Sequence, residues 1–158
     1  IVSVDFLVTS PTGNKNDTEI WAIEINARKG ATTHPYFWAK TLTGALYDQE
    51  SDLLRADGKE VVYQSSEYIA SPLLADMTGA DVLEMIADAG LSYDPETKEG
   101  AIVHMLSCAQ IHGKIGVTAI AARHDTAGSY IQEIQRLLAV QPLAPKSAHD
   151  SSICEVRR

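Results

Sequence analysis

Apolar and polar positions alternate from the start of the chain. Val2, Val4, Phe6 and Val8 stand between Ser3, Asp5, Leu7 and Thr9, which predicts a strand over residues 2–9. The next segment, "SPTGNKND", is a turn by its Pro, Gly and Asn content. Alternation resumes over residues 19–28, so the two runs predict an antiparallel hairpin. Its apolar positions Trp21, Ile23 and Ile25 are expected to be core, while Glu24, Asn26 and Arg28, all even-numbered, share the other face. From Pro35 the period changes. "HPYFWAKTLTG" predicts a short helix with Pro35 at its first position, Tyr36, Phe37 and Trp38 as helix core, and Gly44 just past the end.

Residues 60–71 read as extended. Thr78 and Asp81 then form a capping-box pattern ahead of Val82, Leu83, Ile86 and Ala89 on one helical face, and Gly90 ends that helix. A charged turn over 94–100 leads to two strands, 101–106 and 114–122, joined by "SCAQIHG". A last helix is expected over about 125–140, followed by a disordered tail over 141–158. Strands and helices interleave through hairpins rather than βαβ crossovers, so the fold class is α+β.

Composition narrows the function. The chain has 158 residues, enough for a domain with a real core. Its formal net charge of −8 argues against nucleic acid or an anionic membrane as a partner. No apolar run approaches the ~20 residues of a membrane span. Cys108 and Cys154 make no disulfide framework and read as reduced thiols of a cytoplasmic protein. Ile1 is not a methionine, no signal peptide precedes the first strand, and the chain opens inside that strand. This predicts the C-terminal part of something longer.

The polar face of the first hairpin carries the chemistry. A loop centred near Asn14 and Lys15 would set Asp5 opposite Glu24, on the same side of the ladder. Two carboxylates side by side repel unless something positive lies between them. With the Asn26 oxygen they form a hard donor set suited to Mg²⁺, and Arg28 supplies a fork for a phosphate oxygen. A solvated strand face of mixed charge would show the same spacing, and both readings stand at this point. His34, just before a helix-starting proline, reads equally as a substrate contact or as a cap. His104 lies in an apolar strand and reads as a buried, hydrogen-bonded histidine. His112, His124 and His149 have no zinc-ligand spacing with either cysteine. The carboxylates between Asp48 and Glu99 read as solvated surface.

"VDFLV", a turn and "IEINAR" together resemble the end of the ATP-grasp domain. "NARKGATTHPY", "YDPETKEGAIVHML" and "GKIGVTAIA" extend the resemblance to the C-terminal region of ATP-grasp carboxylate–amine ligases related to the pheganomycin peptide ligase. The resemblance implies the C-terminal portion of an ATP-grasp fold, built of antiparallel hairpins packed with short helices. Residues 1–44 would close the catalytic domain and 45–140 would form a C-terminal α+β domain. It implies ATP as co-substrate and two Mg²⁺ ions. Asp5 would bind one ion, Glu24 would bridge both, and Asn26 would bind the second. Arg28 would be catalytic, meeting the transferred phosphate, and Thr32, Thr33 and His34 would contact substrate. The reaction implied is amide formation through an acyl phosphate from a carboxylate and an amine.

The glycine-rich loop, phosphate-binding lysines and adenine hinge of such a domain are not in this sequence. The missing N-terminal half is therefore an expected partner, and the 158-residue chain alone is expected to be inactive. The alternative is a non-catalytic, truncated ATP-grasp tail that binds a partner.

Overall fold

The computed structural model describes residues 2–14 and 16–139. The expected tail over 141–158, with Cys154 and His149, lies outside the described residues. Among those described, seven strands and four helices form a mixed α/β structure with two antiparallel sheets.

The smaller sheet is the predicted hairpin, β1 (Ser3–Thr9) against β2 (Glu19–Asn26). Its register pairs Ser3 with Asn26 and Asp5 with Glu24, then shifts by one so that Phe6 pairs with Ala22. Ile23 is the extra residue of a β-bulge, which costs the strand one step of its alternation. β2 ends at Asn26, so Arg28 lies beyond the ladder and not on the strand face where alternation put it.

The expectation that Trp21, Ile23 and Ile25 are core is corrected here. They are 57%, 62% and 72% exposed, and Phe6, Val8 and Ile20 on the same hairpin are exposed as well. The other described residues leave these apolar side chains uncovered, and alternation without a second layer over it buries nothing.

The larger sheet has the order β3 (Leu46–Asp48), β4 (Leu53–Ala56), β5 (Lys59–Ala70), β7 (Lys114–Ala121), β6 (Gly100–His104). All neighbours are antiparallel. β7 runs between β5 and β6 and is covered on both faces, which explains its near-unbroken apolar and small-residue sequence "KIGVTAIA". Its odd-numbered side, Ile115, Val117, Ala119 and Ala121, packs with helices α2 (Gly79–Asp88) and α4 (His124–Leu137) through Val82, Ile86, Ala127 and Ile134. Ile120, on the other side, packs with Ala39 of helix α1 (Thr33–Thr43) and with Leu54 and Ala56 of β4.

Local signals place the helices. Thr78 and Asp81 form both bonds of the capping box: Asp81 N–H donates to Thr78 Oγ1 and Thr78 N–H donates to Asp81 Oδ2. Leu83, expected on the buried face of α2, is exposed, while Val82 and Ile86 are fully buried. α1 begins two residues before Pro35 and ends at Gly44, whose φ of 72° is the left-handed closure expected there. Phe37 of that helix points outward, whereas Tyr36 and Trp38 are half-buried. The segment "SCAQIHG" contains a one-turn helix, α3 (Cys108–His112), where the sequence read a plain connection.

Candidate functional site

A cavity of about 600 Å³ lies between the hairpin and the larger sheet. One wall is the hairpin's polar face: Ser3, Asp5, Glu24 and Asn26. The loop that follows, Arg28 to Thr32, forms the floor. His34 and Glu67 close the opposite side.

The hairpin wall follows from register. Directly paired residues share a face, and the Ser3–Asn26 and Asp5–Glu24 pairs are two residues apart on each strand. The side chains already touch: Asn26 Nδ2 donates to Asp5 Oδ2 at 3.4 Å, which turns the amide nitrogen toward Asp5. Opposed carboxylates with no cation between them are unfavourable, and this donor set of two carboxylates and an amide oxygen fits Mg²⁺ completed by waters and phosphate oxygens. Among the described residues no group of three or more His, Cys, Asp and Glu side chains could hold a metal ion by itself. The donor set depends on Asn26 and on oxygens from a bound phosphate. Arg28, just beyond the strand, faces the same cavity, and its Nη1 reaches only the Lys29 carbonyl at 3.5 Å.

The three loop residues expected to meet substrate divide. Thr32 and His34 line the cavity. Thr33 does not: it is buried, and its Oγ1 accepts from Gly30 N–H at 3.0 Å, which closes the turn into α1. His34 makes no cap bond. Its ring packs edge-on against Trp38 (centroids 4.9 Å apart) and His104 (4.7 Å), and its Nε2 stands 3.9 Å from Glu67 Oε1.

His104 is paired with Gly116 across the β6–β7 ladder, and its imidazole lies over that glycine. A Cβ at position 116 would be 2.2 Å from His104 Cε1, so only glycine admits the ring there. His104 has the hydrogen bond expected of it, with the Val117 backbone, but its Nε2 is buried without a partner, as is that of His34. Burial, and then the neighbouring His34, push its pKa below the ordinary histidine value.

Glu67 escaped sequence reasoning because it was taken as one more solvated carboxylate. The β5–β7 register shifts between Ser66 and Ile69, so Glu67 and Tyr68 together oppose Gly116. A bulge of this kind turns a side chain out of the strand's alternation, and period-two reading cannot anticipate it.

Residues 81–133 match the family described as the PGM1 C-terminal domain. Over 135 residues, 85% of its length, the chain is 30% identical to an L-propargylglycine–L-glutamate ligase of Streptantibioticus cattleyicolor. The chain spans about a quarter (27%) of that relative's length. These matches bear out the resemblance, read from the sequence, to the C-terminal part of ATP-grasp carboxylate–amine ligases of the pheganomycin type.

Proposed function

From this likeness to a ligase of known name, we propose that the chain is the C-terminal portion of an ATP-dependent ligase that joins a carboxylate to an amine through an acyl phosphate. The observation that carries the reading is the pairing of Asp5 with Glu24 beside Asn26 on the wall of a cavity that also receives Arg28. Asp5, Glu24 and Asn26 would hold two Mg²⁺ ions, with Glu24 shared between them. Bound there, the ions would supply charge neutralisation and alignment of the ATP phosphates. Arg28 would grip the transferred phosphate through its planar fork. Residues 1–44 end the catalytic domain in this reading, and 45–140 form the C-terminal domain. The exposed apolar hairpin would be covered by the N-terminal half of the ATP-grasp domain, which would also bring the nucleotide pocket. Substrates would be amino acids, the class in the relative's name, or peptides, and the site of action the cytoplasm.

The same exposed hairpin gives a second reading, a non-catalytic tail that only docks on another chain. Turnover decides between them. In the full-length protein, a panel of α-amino acids is offered as acid and amine with Mg²⁺ and ATP, and ADP release is followed. Glu24→Gln keeps the shape and removes the charge, and turnover should fall by about 10²–10³-fold. Near-wild-type turnover with an intact fold would leave the polar face as a solvated strand.

A further inference from the structure

The cavity has two chemically different sides. Asp5, Glu24 and Asn26 lie on the hairpin, and Arg28 and Lys29 lie on the floor, where cations and phosphate oxygens can be matched. Across from them, the larger sheet contributes one carboxylate, Glu67. Among the described residues no lysine or arginine pairs with it, and the imidazole beside it, through His34 Nε2, stands beyond hydrogen-bond reach at 3.9 Å. Its side chain is 43% exposed.

Three linked features of the fold converge on this carboxylate. The bulge in β5 turns Glu67 out opposite Gly116. Gly116 lacks the Cβ that would displace His104. His104 and Trp38 in turn hold His34 edge-on beside Glu67. An unpaired surface glutamate needs none of this scaffolding.

We propose that Glu67, flanked by His34, is the subsite for the amine substrate, taking its ammonium group before transfer. This rests on the ligase reading above. An α-amino acid or peptide amine is an ammonium at neutral pH, and a carboxylate with unfilled acceptor positions is its natural partner. Placed on the wall opposite the phosphate-binding side, Glu67 holds the ammonium across the cavity from the activated acid; the ammonium gives one proton to the adjoining carboxylate, and the freed nitrogen lone pair then forms the bond to the acyl carbon as phosphate leaves.

The test uses the full-length protein and two nucleophiles. One is the best amine from the α-amino-acid panel. The other is hydroxylamine, mostly uncharged at neutral pH, which traps the acyl phosphate as a hydroxamate. Glu67→Gln should raise KM for the amino-acid amine roughly 10–100-fold, the loss of one charge-assisted hydrogen bond. KM for ATP and for the acid, and the rate of hydroxamate formation, should stay within about twofold of wild type. Glu67→Asp, which keeps the charge on a shorter arm, should fall between. If all three KM values rise together, or hydroxamate formation falls in step, Glu67 is structural and the subsite is refuted. An unchanged amine KM with normal hydroxamate formation refutes the subsite alone. No hydroxamate from the wild-type protein removes the ligase reading, and the subsite with it.

Discussion

Replacing Gly116 by Ala measures how firmly the histidine pair is held. The new Cβ would lie 2.2, 2.4 and 2.7 Å from His104 Cε1, Nδ1 and Nε2. Ordinary contact begins near 3.4 Å, so the ring must recede by about 1.2 Å. It has little room, because His34 and Trp38 stand at centroid distances of 4.7 and 5.3 Å. Forcing one carbon into such a contact costs about 1–3 kcal/mol. The backbone at Gly116 is outside the left-handed region, so alanine also recovers about 0.4–1 kcal/mol by restricting the unfolded chain. The clash wins, and a net loss of about 0.5–2 kcal/mol should lower Tm by a few degrees in a chain of this size. The control is the same substitution in a His104→Ala background, where the obstacle is gone and Gly116→Ala should be neutral or stabilising. Thermal melts of the four proteins give the coupling energy directly. An equal effect of Gly116→Ala in both backgrounds would show that the ring moves freely, and the account of how Glu67 is positioned would fail.

Gly100→Ala should be the most damaging glycine substitution, losing more than about 3 kcal/mol, because φ is 124° and the Cβ would sit 2.5 Å from the Ser92 carbonyl oxygen; chemical denaturation measures it, and a loss below 1 kcal/mol would contradict the backbone geometry. Thr78→Ala should cost about 1 kcal/mol at neutral pH by removing the N-cap. Hydrogen bonds from the Thr78 side chain and backbone hold the Asp81 pKa below the usual carboxylate range, so its contribution is present above pH ~4 and is lost as pH falls through the depressed value. The gap in Tm between wild type and Thr78→Ala should therefore narrow in acid. Arg28→Lys should slow turnover of the full-length protein although charge is retained, because lysine lacks the two-pronged geometry; equal rates would remove Arg28 from the phosphate.

Long, regular elements were legible in the sequence. The pairing of Asp5 with Glu24 followed from one turn centre and the alternation on either side, although beyond the bulge the ladder from Phe6 to Thr9 is shifted by one residue from that register; the capping box and Gly44 closure were readable as residue types. What was missed was short or irregular. β3 and β4 are three and four residues long, too short for a period to show, and α3 is a single turn. Arg28 was placed on a strand that ends two residues earlier. Trp21, Ile23 and Ile25 were taken as core because apolar alternation signals a face, but it cannot say what covers that face. Glu67 hid behind a bulge, where the side-chain direction depends on an extra residue opposite Gly116, far along the chain.

The cavity joins parts of the molecule that should differ widely in amide exchange. β7 is hydrogen-bonded on both sides and covered on both faces, so its amides should open only with global unfolding. The β1–β2 ribbon has one ladder and leaves its large apolar side chains exposed, and isolated two-stranded ribbons are marginal in water. Its amides should exchange by local fraying, orders of magnitude faster. A ligand that engages Asp5 and Glu24 on the ribbon and Glu67 on the sheet would bind the closed ribbon and not the frayed one. Mass action then slows exchange at Glu24 and Asn26 in proportion to occupancy and leaves β7 unchanged. Each half of the cavity would thus report separately, the ribbon's protection rising with ligand and the sheet's serving as an internal standard.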